Sequence, residues 1–158
     1  ILNLNINSEA FLDNPINKIK YDGIITSPPY LCMADYTLGQ RLSYYWLFNE
    51  MLQVDFKKEI GARRNRSSPI SAHSSYMKNM GDFFNTSYNC LNDNGFLVIV
   101  IGNPKALNYS NNPIIQDLIL KANESGLKLI WSENREINWH RNHGYARLKN
   151  EEIIVFQK

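Results

Sequence analysis

The run Tyr21-Asp22-Gly23-Ile24-Ile25-Thr26, closed by Ser27-Pro28-Pro29-Tyr30, constrains this chain more than any other stretch of it. An apolar, β-branched core predicts a buried strand. Two successive prolines must end that strand, because neither can donate to a ladder and both hold the backbone extended. In an open α/β sheet ligands collect beyond the carboxyl ends of strands, so residues 27–30 form a candidate site by position alone.

The rest of the sequence supplies the sheet around that strand. Leu2-Asn3-Leu4-Asn5-Ile6-Asn7 alternates apolar and polar residues, the pattern of a short strand. Residues 8–19 read as a short helix or turn. Asp35 to Val54 predicts a helix with Leu38, Leu42, Tyr45, Trp46 and Met51 on its apolar face. Residues 55–75 read as a long polar loop, and Ser74 to Leu91 as a helix carrying Met77, Met80, Phe83, Phe84 and Tyr88. Asn92-Asp93-Asn94-Gly95 marks a stop and turn, and Phe96 to Ile101 a strand buried on both faces. Pro113 to Asn123 predicts a further helix ended by Ser125-Gly126. Leu127 to Trp131, running on towards Trp139, and Glu152 to Phe156 are expected to pair as an antiparallel hairpin across residues 140–149. That order implies one domain over residues 1–158, a three-layer Rossmann-like α/β sheet, mostly parallel, with the antiparallel hairpin at its edge.

Composition excludes more than it selects. With 158 residues, 44% hydrophobic and 20% charged, the chain is that of an ordinary soluble domain. It has no apolar run of the ~18 residues a membrane span needs, and no visible signal peptide. It opens on Ile1, which leads us to expect residues upstream. A net charge of +2 is too small to demand a polyanion. The charge is clustered, however: Arg63, Arg64 and Arg66 form one group, and His140, Arg141, His143 and Arg147 another. Each group either meets phosphates or lies in a solvated loop. Trp139 and Tyr145, interleaved with the second group, fit nucleic-acid contact or a structured hairpin tip equally. Cys32 and Cys90 are isolated, as expected of buried or free thiols in a reducing, cytoplasmic setting. His73, His140 and His143 have no metal-ligand spacing, so no metal is expected.

The chemistry of residues 27–30 is specific. Extended prolines turn their carbonyls outward as acceptors, Ser27 adds a hydroxyl oxygen, and Tyr30 offers a flat face. Acceptors beside an aromatic platform suit a planar heterocycle bearing an exocyclic amine, whose lone pair they would aim at an electrophile. Asp35 stands close enough in sequence to approach the site or to cap a helix.

Residues 22–30 resemble motif IV of the S-adenosylmethionine-dependent methyltransferases that modify exocyclic amines in DNA. The Ser-Pro-Pro-Tyr form is most like the cytosine-N4 members, ahead of the adenine-N6 members. Residues 7–10 resemble motif III. Residues 35–47 and Glu59-Ile60-Gly61-Ala62-Arg63-Arg64 are similar to the helix and loop that follow motif IV in a subgroup. Residues 95–104 resemble motifs VI and VII, and residues 151–156 the final strand. The resemblance implies S-adenosylmethionine as cofactor, touched by Glu9, Thr26 and Ser27. It implies a flipped DNA base as substrate, its amine held by Ser27 and the Pro28 carbonyl within the Ser27, Pro28, Pro29, Tyr30 catalytic set. Arg63, Arg64, Arg66 and Arg141 would meet the nucleic acid. Cys32 has no role in such a transfer, since the amine attacks the methyl directly.

Two parts of the family pattern are missing: the glycine-rich turn that cradles the cofactor, and the acidic residue for its ribose. Gly102-Asn103-Pro104 cannot replace that turn, since close backbone approach needs more than one glycine. The first two strands are therefore expected on another segment or a partner chain, and the uncovered sheet flank is expected to associate. A fragment, one subunit of a split enzyme and a non-catalytic nucleic-acid-binding remnant all fit. So do an RNA methylase and a protein-glutamine amide methylase, in which a different residue precedes the two prolines.

Overall fold

The protein is described here from a computed structural model covering residues 19–102, 114–137 and 150–158. The expected strand at 2–7, the element at 8–19 up to residue 18, Glu9, Arg141 and the aromatic and basic cluster at 139–147 lie outside the described residues. Strand β1 (Tyr21–Thr26) leads to short helices α1 (Tyr36–Gly39), α2 (Arg41–Leu47) and α3 (Leu52–Lys58), then the long helix α4 (Pro69–Cys90). Strand β2 (Leu91–Gly102), helix α5 (Ile114–Glu124) and strands β3 (Lys128–Glu136) and β4 (Asn150–Gln157) complete the described elements. No described helix is long and apolar enough to cross a membrane.

The four described strands lie in the order β1-β2-β4-β3. β1 pairs parallel with β2, whereas β4 pairs antiparallel with both β2 and β3. Strands β1, β2 and β3 thus run one way and β4 alone runs back. The C-terminal hairpin forms as expected, but the sheet is mostly parallel only in strand direction, because two of its three pairings are antiparallel. The hairpin stands at one edge of the described sheet, as expected, with its reversed strand the inner of the two. The hairpin folds β4 back between β2 and β3, so the described edges are β1 and β3.

Helices α4 and α5 pack on one face of this sheet. Leu97, Ile99 and Ile101 of β2 and Ile154 and Phe156 of β4 point into that layer and are essentially inaccessible. They meet Tyr76, Met80 and Phe84 of α4 and Leu118 and Ala122 of α5 in one core. Phe84 anchors the layer, its ring 5.4 Å from Phe83 and 5.9 Å from Phe156 in tilted and edge-on contacts. The side chains that alternate with the core residues are barer. Ile25 is 81% exposed and Phe96 41%, and Val98, Val100, Ile153 and Val155 are half-buried. β2 is therefore not buried on both faces, and the described residues leave β1 at an edge and make two layers where three were expected.

Local chemistry explains the other departures. The stretch from Asp35 to Val54 breaks at Gln40 and Phe48, and Leu38, Leu42, Tyr45, Trp46 and Met51 all face outward. The polar stretch after it is shorter than expected: α3 runs through Lys58, a 3₁₀ turn spans Arg63–Ser67, and α4 starts at Pro69. Proline at the first helical position loses no hydrogen bond there, so it opens the helix. The expected turn at Asn92–Gly95 is a bulge. Tyr21 faces Leu91 and Gly23 faces Phe96, so two steps on β1 match five on β2, with Asn94 at φ 64°. The stop at Ser125-Gly126 forms as read, with Gly126 at φ 91° and Leu127 N–H returning to the Ala122 carbonyl at 3.1 Å.

Candidate active site

The topology gathers the site. β1 and β2 finish at the same end of the sheet, and β3 finishes beside them. β4, running the other way, begins there, so Glu151 lies opposite Gly102 on one side and Arg135 on the other. Ser27 to Tyr30 leaves β1 at this end, in the position expected of a ligand site.

Four polar contacts hold the segment. The Ser27 hydroxyl donates to the Val100 carbonyl at 3.1 Å and lies 3.3 Å from the Tyr30 hydroxyl. Tyr30 donates to Glu151 Oε1 at 2.7 Å, and Arg135 pairs with the other carboxylate oxygen. From beneath, the buried Tyr76 of α4 donates to the Pro29 carbonyl at 2.9 Å. Ser27 itself is exposed, Pro28 buried, and Pro29 and Tyr30 half-buried. With its proton turned towards Val100, the Ser27 oxygen keeps its lone pairs for an incoming N–H.

Electrostatics fix the protonation states. Burial, followed by the Glu151 carboxylate and opposed by the Ser27 hydrogen bond, pushes the Tyr30 phenol up to about 12. Burial also raises the Tyr76 phenol. At Glu151 burial pulls upward, but hydrogen bonds from Arg135 and Tyr30 outweigh it and hold the carboxyl below its ordinary value. Both phenols are therefore donors at neutral pH, and Glu151 is a carboxylate.

A loop clamps the exit from the site. Cys32 N–H donates to the Gly61 carbonyl at 2.7 Å, and Arg63 N–H to Ala34 at 3.0 Å. Gly61 has φ 68°, and a Cβ there would sit 3.1 Å from the Tyr30 carbonyl and 3.3 Å from the Tyr76 ring. Only glycine combines that left-handed backbone with that approach. Cys32, likewise at positive φ, is buried with Cys90, and neither forms a disulfide.

The basic cluster divides. Arg64 is turned inward, 3.3 Å from Asp35, 2.6 Å from Glu59 and 3.8 Å above the Phe56 ring, with a further bond to the Phe56 carbonyl. Two carboxylates already neutralise it. Arg63 is half-buried and Arg66 exposed, so these two are the members of the cluster with charge to offer a phosphate. Asp35 precedes α1 but makes no side-chain cap; its carboxylate serves Arg64 instead of the site. His73 lies 2.8 Å from Asp117, joining α4 to α5, and no metal-binding group occurs among the described residues.

Sequence reading brought Thr26, Ser27, Pro28, Pro29 and Tyr30 to one strand end, where the structure also has them. It missed Tyr76, Arg135 and Glu151. The hairpin register carried a signal only for the pairing of Arg135 with Glu151; the placement of β4 next to β2, which brings Glu151 to the end of the sheet where β1 finishes, had none.

No protein-family model and no curated protein matches the sequence. Solved structures do match. A Thermus thermophilus protein named as a DNA modification methylase superposes with a TM-score of 0.55 at 15% identity, over 98% of this chain and 52% of that one. The same protein complexed with S-adenosyl-L-methionine gives 0.54 at 14% identity, over 97% of this chain and 50% of that one. This chain thus spans about half the length of the structures it matches, and over that half it shares their fold.

Proposed function

We propose that this chain forms the base-binding half of an S-adenosylmethionine-dependent DNA methyltransferase acting on an exocyclic amine, cytosine N4 before adenine N6. The observation that carries it is the Ser27-Pro28-Pro29-Tyr30 segment, anchored by Val100, Tyr76 and Glu151 at the carboxyl end of β1. In this reading Ser27 and the Pro28 carbonyl accept the two amine hydrogens, and the ring of Tyr30 stacks on the flipped base. Arg63 and Arg66 meet its phosphates, joined by Arg141, while Arg64 keeps the loop in shape.

The residues present fit one end of the cofactor. Thr26 and Ser27 lie at the carboxyl end of β1, the strand at one edge of the described sheet, and, with Glu9, would flank the reacting end. No glycine-rich turn for the methionine part occurs in the sequence. When bound, S-adenosylmethionine supplies an electrophilic methyl; the residues here orient the acceptor and keep its lone pair aimed. The missing turn, and among the described residues a β1 edge without a neighbour and a partly bare sheet face, support a second segment or chain that completes the sheet and holds the cofactor.

The test is transfer of labelled methyl from S-adenosylmethionine to unmethylated DNA, with nucleoside analysis. Label in N4-methylcytosine is expected. Label in N6-methyladenine would reverse the order of bases. Label in RNA or in a protein glutamine would move the substrate class. A second reading, a non-catalytic nucleic-acid-binding subunit, is favoured by the missing turn, and DNA binding without transfer, even with the completing segment present, would select it.

A further inference from the structure

We infer that Glu151 is a positioning residue of the base site, holding the ring of Tyr30 in place from the opposite side of the sheet end; the inference rests on the function proposed above. Tyr30 stands past the end of β1, where no ladder fixes it; its half-buried ring packs against the core on one side, and the contacts of its hydroxyl fix the orientation that this packing leaves open. The strongest is the 2.7 Å bond to Glu151 Oε1, since a charged acceptor roughly doubles a hydrogen bond. Glu151 is well placed to impose an orientation. Its backbone is paired on both sides, to Gly102 and to Arg135, and Arg135 holds its second oxygen.

A purely structural tie would be redundant here. β1 and β4 are already joined through β2 along their length, and a side-chain bond at the extreme end adds nothing to register. The pair is also unequal in exposure, the Glu151 side chain at 14% and that of Arg135 at 58%. The carboxylate is thus drawn inward towards Tyr30, with its counter-charge on the solvent side. What the arrangement adds is a fixed phenol, and with it a fixed ring plane. An aromatic platform gains from such fixing because stacking loses less conformational entropy when the ring is held beforehand.

The experiment measures binding of a single-stranded oligonucleotide carrying one 2-aminopurine, whose fluorescence is quenched on stacking. It is paired with the Tyr30 Cζ resonance, assigned through Tyr30→Phe, and with thermal unfolding. Glu151→Ala is expected to weaken the quenched complex about five-fold or more, with Glu151→Gln intermediate because its amide oxygen still accepts. The Tyr30 resonance should move in both. Glu152→Gln, on the same strand, should change neither signal. Quenched binding by Glu151→Ala equal to that of the unaltered chain would overturn the inference and leave the base site standing. So would weaker binding that tracks lowered thermal stability while the Tyr30 resonance stays put. If the unaltered chain quenches no better than Tyr30→Ala, the base site itself fails, and the inference with it.

Discussion

The hydroxyl of Tyr76 donates to the carbonyl of Pro29 at 2.9 Å, from a side chain that is only 1% exposed. The two prolines carry their carbonyls past the end of β1, beyond the reach of the β2 ladder. A residue deep in α4 therefore supplies the donor, and this bond joins the packing of Tyr30 against the core in coupling the core to the site. Tyr76→Phe removes the donor and leaves the carbonyl facing an apolar ring. A loss of ~1–3 kcal/mol is expected, read as a lower urea midpoint at unchanged slope, along with weaker base binding. Unchanged stability would show that water replaces the phenol.

Arg64 and Arg66 should separate structure from recognition. Arg64→Ala removes the counter-charge of the Asp35 and Glu59 carboxylates and leaves them the backbone N–H groups of residue 64 and Tyr36; Glu59 is the more buried of the two at 6% side-chain exposure. Breaking a fully buried pair costs ~3–5 kcal/mol, and partial exposure here reduces that to roughly 1–3 kcal/mol. Arg66→Ala should leave the urea midpoint unchanged and lower the salt dependence of DNA binding by about one phosphate contact. Equal salt slopes for Arg66→Ala and the unaltered chain would remove Arg66 from the interface.

The open flank makes its own prediction. Ile25 is 81% exposed on a strand with one described neighbour, a combination that invites edge-to-edge pairing. Ile25→Lys should shift the sedimenting species of the isolated chain towards the monomer, with thermal stability little changed because no core contact is lost. An oligomer that persists unaltered would place the association elsewhere, with the exposed α2 residues Leu42 and Trp46 the next surface to test.

What the sequence made legible followed from local chemistry. The prolines at 28 and 29 fixed the end of β1, Ser125-Gly126 ended α5, and the short apolar run within 152–156 located β4 to within two residues. Long-range partners were hidden. Nothing near Tyr30 announces that its hydroxyl will meet a carboxylate 121 residues away; only the insertion of β4 between β2 and β3 brings them together. The apolar spacing of Leu38, Leu42, Tyr45 and Trp46 misled for the converse reason. Periodicity reports that a face is apolar, not that anything in the described residues covers it. Arg64 misled because a cluster of positive charge looks the same whether it faces solvent or two carboxylates.

Glu151 and Tyr30 should each contribute to one limb of the pH dependence of stability, Glu151 to the acid limb and Tyr30 to the alkaline one. Glu151 is held below its ordinary value in the folded chain. Its contribution is therefore complete above the unfolded carboxylate range and is lost as pH falls through the folded value. Tyr30 behaves oppositely. Its phenol is pushed from 10.0 to about 12, so between those values the unfolded chain has lost a proton that the folded chain retains, and stability declines as pH rises. Urea midpoints measured from acid to alkaline pH should fall at both ends. Glu151→Gln should flatten the acid limb while leaving most of the alkaline one, since burial is the larger cause of the Tyr30 shift. Tyr30→Phe should reduce the alkaline limb, leaving the part due to the buried Tyr76 phenol, and also shrink the acid one, because Glu151 then loses one of the two hydrogen bonds that hold it charged. An acid limb identical in all three proteins would show that the Glu151 carboxylate is not engaged by Tyr30 in solution.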